Sequence, residues 1–175
     1  DSREIILEKF IRNGIHIEVN IFSDGKNYIH LGTRNCTIQR QFQKFIELSP
    51  ALAPEFYEYS FDAIEVLKRI VEDSINFAKY LELVGSATFE FLVDPKTGKY
   101  YFMEINPRVQ VEHGISNHTT LFKATRANFN LVRELLRVCF LGEPLGYKQD
   151  DLITDDGYAI ETRIAPEIHT RDGRG

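Results

Sequence analysis

The chain has 175 residues, 43% of them hydrophobic and 27% charged, with a net charge of −5, a composition that predicts one compact globular domain. An acidic balance without basic clusters argues against nucleic acid as a main partner, and the two cysteines, Cys36 and Cys139, are too few for a disulfide framework and are expected reduced, in a cytoplasmic setting. No apolar run reaches the ~18 residues of a membrane span and no signal-peptide pattern is seen, so no membrane partner is expected.

In chain order, residues 5–11, 15–22 and 28–33 read as short β-rich runs, with the turn formers of 23–27 between the second and third. Residues 54–83 turn helical: Ile64, Leu67, Lys68, Val71, Ile75, Ala78 and Leu81 recur at a spacing near ~3.6 and predict a buried stripe, with Glu65, Arg69, Glu72 and Asp73 wet. Residues 86–93 and 100–106 are strand-like and joined by Asp94-Pro95-Lys96-Thr97-Gly98, which predicts a β-hairpin. A second helix is expected over 127–140, with Leu131, Leu135, Val138 and Cys139 facing the core and Gly142 as its stop. The charged tail 171–175 reads as a frayed end.

The hairpin carries the chemistry. Glu104 and Asn106 close an apolar strand with two hard oxygen ligands on one face, a pattern for magnesium rather than zinc. If Val93 pairs with Lys99, Glu90 lies diagonal to Glu104 at roughly 7–8 Å, close enough for both carboxylates to share a cation. That pairing places Thr88, Leu92, Tyr100 and Phe102 on the carboxylate face as the lining of a cleft. It puts Ala87, Phe89, Phe91, Val93, Tyr101, Met103 and Ile105 on a buried face. Beyond the hairpin, Arg108, Gln110 and Glu112 alternate and would project to one side of an extended segment. Arg108 offers a fork of donors for a carboxylate, phosphate or bicarbonate, Gln110 and the amides around Val111 add neutral donors, and Glu112 is placed to take a proton from the bound anion. The plainer reading is a solvent-exposed strand with alternating charges. His113 reads as a satisfied structural histidine.

Phe89-Glu90-Phe91 followed by Phe102-Met103-Glu104-Ile105-Asn106-Pro107-Arg108-Val109-Gln110-Val111-Glu112-His113 resembles the ATP-grasp signature of biotin carboxylases. Ile15-His16-Ile17-Glu18-Val19 with Leu31-Gly32-Thr33-Arg34-Asn35-Cys36-Thr37-Ile38-Gln39-Arg40-Gln41-Phe42-Gln43-Lys44 is similar to a second block of the same family. Gly157-Tyr158-Ala159-Ile160-Glu161-Thr162-Arg163-Ile164 looks like a third.

The resemblance implies an α+β chain with the ATP-grasp fold, its C-terminal part, built on a mixed or antiparallel sheet with flanking helices. It implies ATP- and bicarbonate-dependent carboxylation of biotin through carboxyphosphate, the first half-reaction of a biotin-dependent carboxylase. Glu90, Glu104 and Asn106 would hold Mg2+ (or Mn2+) at the ATP phosphates. Arg108, Gln110 and the Val111 amide would hold bicarbonate, Glu112 would be its base, Lys44 a point cation beside it, and Arg163 would stabilise the biotin enolate. Glu8, Lys9, Phe10 and Ile11 match the hinge that reads adenine, His16 and Gln39 match residues along the nucleotide, and Leu92 would pack on the base. The implied partners are a biotin carboxyl carrier protein or domain, a carboxyltransferase that chooses the final acceptor, and a second copy in a homodimer. The implied location is the cytoplasm, or the mitochondrial matrix in a eukaryote.

Phe42 stands where the family usually has a histidine, Asn35 replaces an aspartate, and Gly114-Ile115-Ser116-Asn117 departs from the family's run. No glycine-rich phosphate loop occurs in the sequence, so residues 1–175 are expected to be a partial ATP-grasp domain, without the N-terminal region, lid and extreme C-terminal region, and inactive alone. A carbamoyl-phosphate-synthetase-like ligase and a non-catalytic nucleotide-binding module are the two alternatives.

Overall fold

In the computed structural model, which describes residues 5, 7–41 and 43–164, the strongest apolar alternations become the middle of a sheet. β1 (Ile15–Asp24) lies between β2 (Tyr28–Arg40) and β4 (Val84–Val93), and β3 (Gln43–Ser49), β5 (Tyr100–Asn106) and β8 (Ala159–Thr162) complete the antiparallel order β5-β4-β1-β2-β3-β8. β6 (Leu121–Phe122) and β7 (Leu152–Ile153) form a separate small ladder.

One face of the sheet is apolar. Ile17, Val19 and Ile21 of β1 join Ala87, Phe89, Phe91 and Val93 of β4, and α1 (Ala63–Tyr80) covers them with Ile70 and Ala78. Each fully buried Ile or Phe contributes about 1.5–3 kcal/mol by leaving water. The other face is divided. Phe22, Ile29 and Leu31 pack with Phe129, Leu131, Val138, Leu145 and Leu152 at one end, while the polar His16, Glu18 and Asn20 of β1, all buried, occupy the rest. α2 (His113–Thr119) lies against β2, β3 and β8 on this divided side.

The elements differ from the sequence expectation at identifiable points. Among the described residues of 5–11 none is in a strand, and β2 runs on to Arg40. α1 starts at Ala63 because the Asp62 carboxylate accepts from the Glu65 amide at 3.0 Å and caps it there. Its buried residues are Ala63, Ile70, Ser74 and Ala78, whereas Ile64 is 70% exposed and Lys68 and Leu81 are also exposed. The second helix is shorter than 127–140: α3 (Leu131–Leu135) is capped by the Asn130 side chain and passes into a π-helical turn over Leu136–Phe140. That turn is wider than an α-turn and leaves Cys139 exposed rather than in the core. Phe42 and the tail 171–175 lie outside the described residues.

The hairpin forms, in a different register. Val93 pairs with Tyr100, and a bulge at Met103 inserts one extra residue into β5, so Glu90 stands directly opposite Glu104 instead of diagonal to it. An extra residue reverses the alternation on its strand. Tyr100 and Phe102 therefore pack on Phe91, with ring centroids 6.0 and 5.8 Å away, and Tyr101 and Met103 go to the polar side. Among the described residues no helix is long and apolar enough to cross a membrane.

Candidate functional site: a cation-lined cleft

The polar end of the divided face opens into a cleft of about 480 Å³ lined by His16, Gln39, Gln43, Lys44, Glu90, Met103, Glu104, Asn106, Arg108, Val111, Glu112 and Arg163. β1, β2, β3, β4 and β5, the loop after β5 and the residue after β8 each contribute. Strand alternation aims the side chains of β1 and β4 inward together, since His16 is paired with Leu92 and Glu18 with Glu90.

Two cations, one buried and one half-buried, organise the wall. Arg34 of β2 is 1% exposed; its Nε and Nη2 donate to Glu18 Oε2 at 3.2 and 2.8 Å, Nη1 donates to Ser116 Oγ at 3.1 Å, and Nη2 also reaches Gln110 Oε1. Burial works against its charge, but the neighbouring Glu18 carboxylate holds its pKa above the ordinary value. Lys44 donates to Glu18 Oε1, to Glu112 Oε1 at 3.0 Å and to Glu90 Oε1 at 3.3 Å. Burial opposes its charge too, and Glu18 again outweighs it, so Lys44 stays an ammonium ion well above neutral pH. Glu112, 2% exposed, accepts on its second oxygen from Arg163 Nη2 at 2.9 Å. The expected base is thus gripped between two cations.

Glu90 and Glu104 converge on one point. Asn106 Nδ2 donates to Glu90 Oε1 at 2.8 Å and to Glu104 Oε1 at 2.9 Å. Burial would raise the Glu90 pKa, but the hydrogen bond to His16 and the Lys44 charge bring it down to about 2, so it is a carboxylate at any working pH. Two anionic oxygens already gathered around one positive hydrogen-bonding group, with an exposed Glu104 for access, fit a hard divalent cation. His16, Glu18 and Glu90 also bring ligand atoms within 4.8 Å of one another, but the Lys44 ammonium is hydrogen-bonded to both carboxylates and meets their charge.

His16 Nε2 lies 2.7 Å from Glu90 Oε2, and Gln39 Nε2 lies 2.7 Å from His16 Nδ1. Gln39 therefore orients the imidazole at the wall of the cleft. Lys9, Phe10 and Ile11 line a second recess of about 360 Å³ with Arg12, Asn13 and residues 94–96; Lys9 Nζ reaches Tyr101 Oη at 2.5 Å. Leu92, paired with His16 and Tyr101, lies between the two recesses. Glu8 is exposed and lines neither of them.

The expected extended run after Asn106 is replaced by bends and a turn, closed by His113 N to Gln110 O at 3.3 Å and Ile115 N to Glu112 O at 3.2 Å. Arg108 remains exposed in the cleft, its described hydrogen bond going only to Val109 O. Gln110 turns inward to Arg34 and Glu90 and is 3% exposed, so it does not share a side with Arg108. His113 Nδ1 lies 2.9 Å from Gln110 O, a structural partner. Arg34 and Glu18 were not among the residues singled out by sequence. The signal for them was the strict alternation His16-Ile17-Glu18-Val19-Asn20, whose polar face is buried.

The cleft on the polar face of the antiparallel sheet thus gathers carboxylates suited to a divalent cation and cationic side chains suited to an anion. The chain matches the family described as carbamoyl-phosphate synthase L chain, ATP binding domain, over residues 1–139, and it belongs to that family. Within it the similarity is to biotin carboxylases. The Pseudomonas aeruginosa biotin carboxylase is 41% identical over 164 residues, which are 93% of this chain and 32% of that protein. The biotin carboxylase from Campylobacter jejuni, solved as a β,γ-ATP complex, superposes with a TM-score of 0.76 at 36% identity, covering 94% of this chain and 33% of its own. The biotin carboxylase domain of a thermophilic 2-oxoglutarate carboxylase, solved with bicarbonate, gives 0.72 at 35% identity, covering 89% and 31%. The fold is therefore ATP-grasp, and the chain spans about a third of the length of these relatives.

Proposed function

We propose that this chain is one partial ATP-grasp domain that supplies the metal, bicarbonate and biotin side of a biotin carboxylase, acting in the cytoplasm or an equivalent organellar compartment. The observation that carries the reading is the position of Glu112: one oxygen on Lys44, the other on Arg163, in the same cleft as the Glu90-Glu104-Asn106 group.

Arg108, Lys44 and the Val111 amide hold bicarbonate. Glu112 takes its proton, the freed oxygen attacks the γ-phosphorus of ATP, and ADP leaves. The resulting carboxyphosphate breaks into carbon dioxide and phosphate, the phosphate takes the proton from the ring nitrogen of biotin, and the enolate-like anion so formed, its oxygen beside Arg163, adds through that nitrogen to the carbon dioxide. Glu90, Glu104 and Asn106 would hold magnesium, which when bound would neutralise phosphate charge. Gln110 acts at one remove, by orienting Arg34 and Glu90, and Gln39 does the same for His16. Lys9, Phe10, Ile11 and Leu92 are assigned to the adenine end and Glu8 to its outer edge. Biotin arrives on a carrier protein or domain, a carboxyltransferase receives the product, and the full protein pairs as a homodimer.

The test is phosphate release by the full-length parent polypeptide with ATP, magnesium and bicarbonate, with and without free biotin. Biotin-stimulated release that Arg163→Ala loses is expected. Bicarbonate-dependent release indifferent to biotin would reassign the chain to a carbamoyl-phosphate-synthetase-like ligase, and nucleotide binding without release would make it a non-catalytic module.

A further inference from the structure

β3 carries a carboxylate for which the proposed reaction has no role. Glu47 lies directly across from Glu161 of β8, its side chain is 3% exposed, and among the described residues its Oε2 has no hydrogen-bond partner. Its other oxygen stands 3.6 Å from Arg163 Nη2, the same nitrogen that lies 2.9 Å from Glu112 Oε2. One guanidinium nitrogen thus sits between two carboxylates, within hydrogen-bond distance of one and just outside it for the other.

We propose that Glu47 is a positioning residue that divides Arg163 between itself and Glu112, and so sets how tightly Glu112 is held when bicarbonate arrives. This rests on the reading of Glu112 as the base. The groups around Glu47 come from every element packed there. Glu112 from the turn before α2, Glu161 from β8 and Glu18 from β1 favour a proton on it, while Arg34 from β2 and Arg163 after β8 oppose one. Cys36 of β2 stays a neutral thiol because burial raises its pKa.

Burial first, then the charge of Glu112, raise Glu47 to about 7. When protonated, Glu47 leaves Arg163 to Glu112, which stays gripped between Arg163 and Lys44. When ionised, it attracts Arg163, and Glu112 is left with Lys44 alone and accepts a proton more readily. The only transfer involved is the proton Glu47 exchanges with water. Between pH 6 and 8 its ionised fraction rises from about a tenth to about nine-tenths.

The experiment compares the full-length protein with its Glu47→Gln and Glu161→Gln variants from pH 6 to 8. Three readouts are used: bicarbonate-dependent phosphate release, the infrared band of protonated carboxyl groups, and the 15N signal of the Arg163 guanidinium. In the wild type a component of the rate rising up to about ninefold should follow the loss of an acid band and a shift of the Arg163 signal. Glu47→Gln should lack all three changes, and Glu161→Gln, which removes a facing carboxylate, should move their midpoints to lower pH. A Glu47→Gln profile identical to wild type, or an Arg163 signal that does not titrate in the wild type, overturns the proposal. If no form releases phosphate, the proposed function fails, and the infrared and Arg163 signals still decide the role of Glu47. Should Glu47→Gln not fold, the wild-type Arg163 titration and the Glu161→Gln midpoint decide it.

Discussion

Glu90 and Glu104 face each other as directly paired residues of β4 and β5, and the side-chain nitrogen of Asn106 is held between them at 2.8 and 2.9 Å. The two carboxylates would repel if nothing positive lay between them, and the Asn106 amide meets only part of that demand. Mn2+ binding to residues 1–175, followed by electron paramagnetic resonance, is expected to weaken about tenfold or more in Glu104→Gln. Because Glu104 is exposed, its loss should change folding stability by no more than about 0.5 kcal/mol. Unaltered Mn2+ affinity would remove Glu104 from the ligand set.

Arg34 is the structural counterpart of that site. Its fork holds Glu18, Ser116 and Gln110 at once, so Arg34→Met leaves a fully buried Glu18 with Lys44 as its remaining cation. Breaking a buried pair from one side costs about 3–5 kcal/mol, which urea unfolding would read directly. Arg34→Met with Glu18→Gln is expected to recover part of the loss, because the stranded charge is removed as well. A single variant as stable as wild type would mean that Lys44 alone satisfies Glu18.

Acid should act through Glu90. Its folded pKa of about 2 lies below the ~4.3 of a free glutamate. Its contribution is therefore fully present above that unfolded value and is lost as pH falls from there towards 2. The contribution is at most about 3 kcal/mol. Urea midpoints measured from pH 6 to pH 2.5 should fall for the wild type and fall less steeply for Glu90→Gln. Parallel curves would place the acid sensitivity elsewhere.

The hairpin was legible because its turn residues and period-two alternation are local signals. That Glu104 and Asn106 share one face was legible because alternation puts residues two apart on the same side of a strand. The bulge at Met103 was not, since one inserted residue leaves no mark in composition yet turns Tyr100 and Phe102 onto the Phe91 side of the sheet. The inward turn of Gln110 depends on Arg34, 76 positions away in the chain, and no short-range pattern encodes a partner at that separation. The start of α1 was readable in principle: Asp62 with Glu65 three residues on is a capping pair, and it outweighs the weaker periodicity that continues back to residue 54.

Glu112 and Arg163 touch each other at 2.9 Å but are assigned to different steps, and kinetics on the full-length protein separate them. Glu112→Gln keeps the shape and loses the ability to take a proton, so bicarbonate-dependent phosphate release should fall about 10²–10⁴-fold with or without biotin. Arg163→Ala removes the donor at the developing enolate, so biotin-stimulated release should fall about 10²–10³-fold, whereas release without biotin should hold or rise, because Glu112 is then left with Lys44 alone. Phosphate assays at saturating ATP with biotin as the varied substrate give both ratios. Equal losses in the two assays for Arg163→Ala would show that Arg163 has no separate role at the biotin enolate. The ~480 Å³ cleft would then lack its biotin-facing cation.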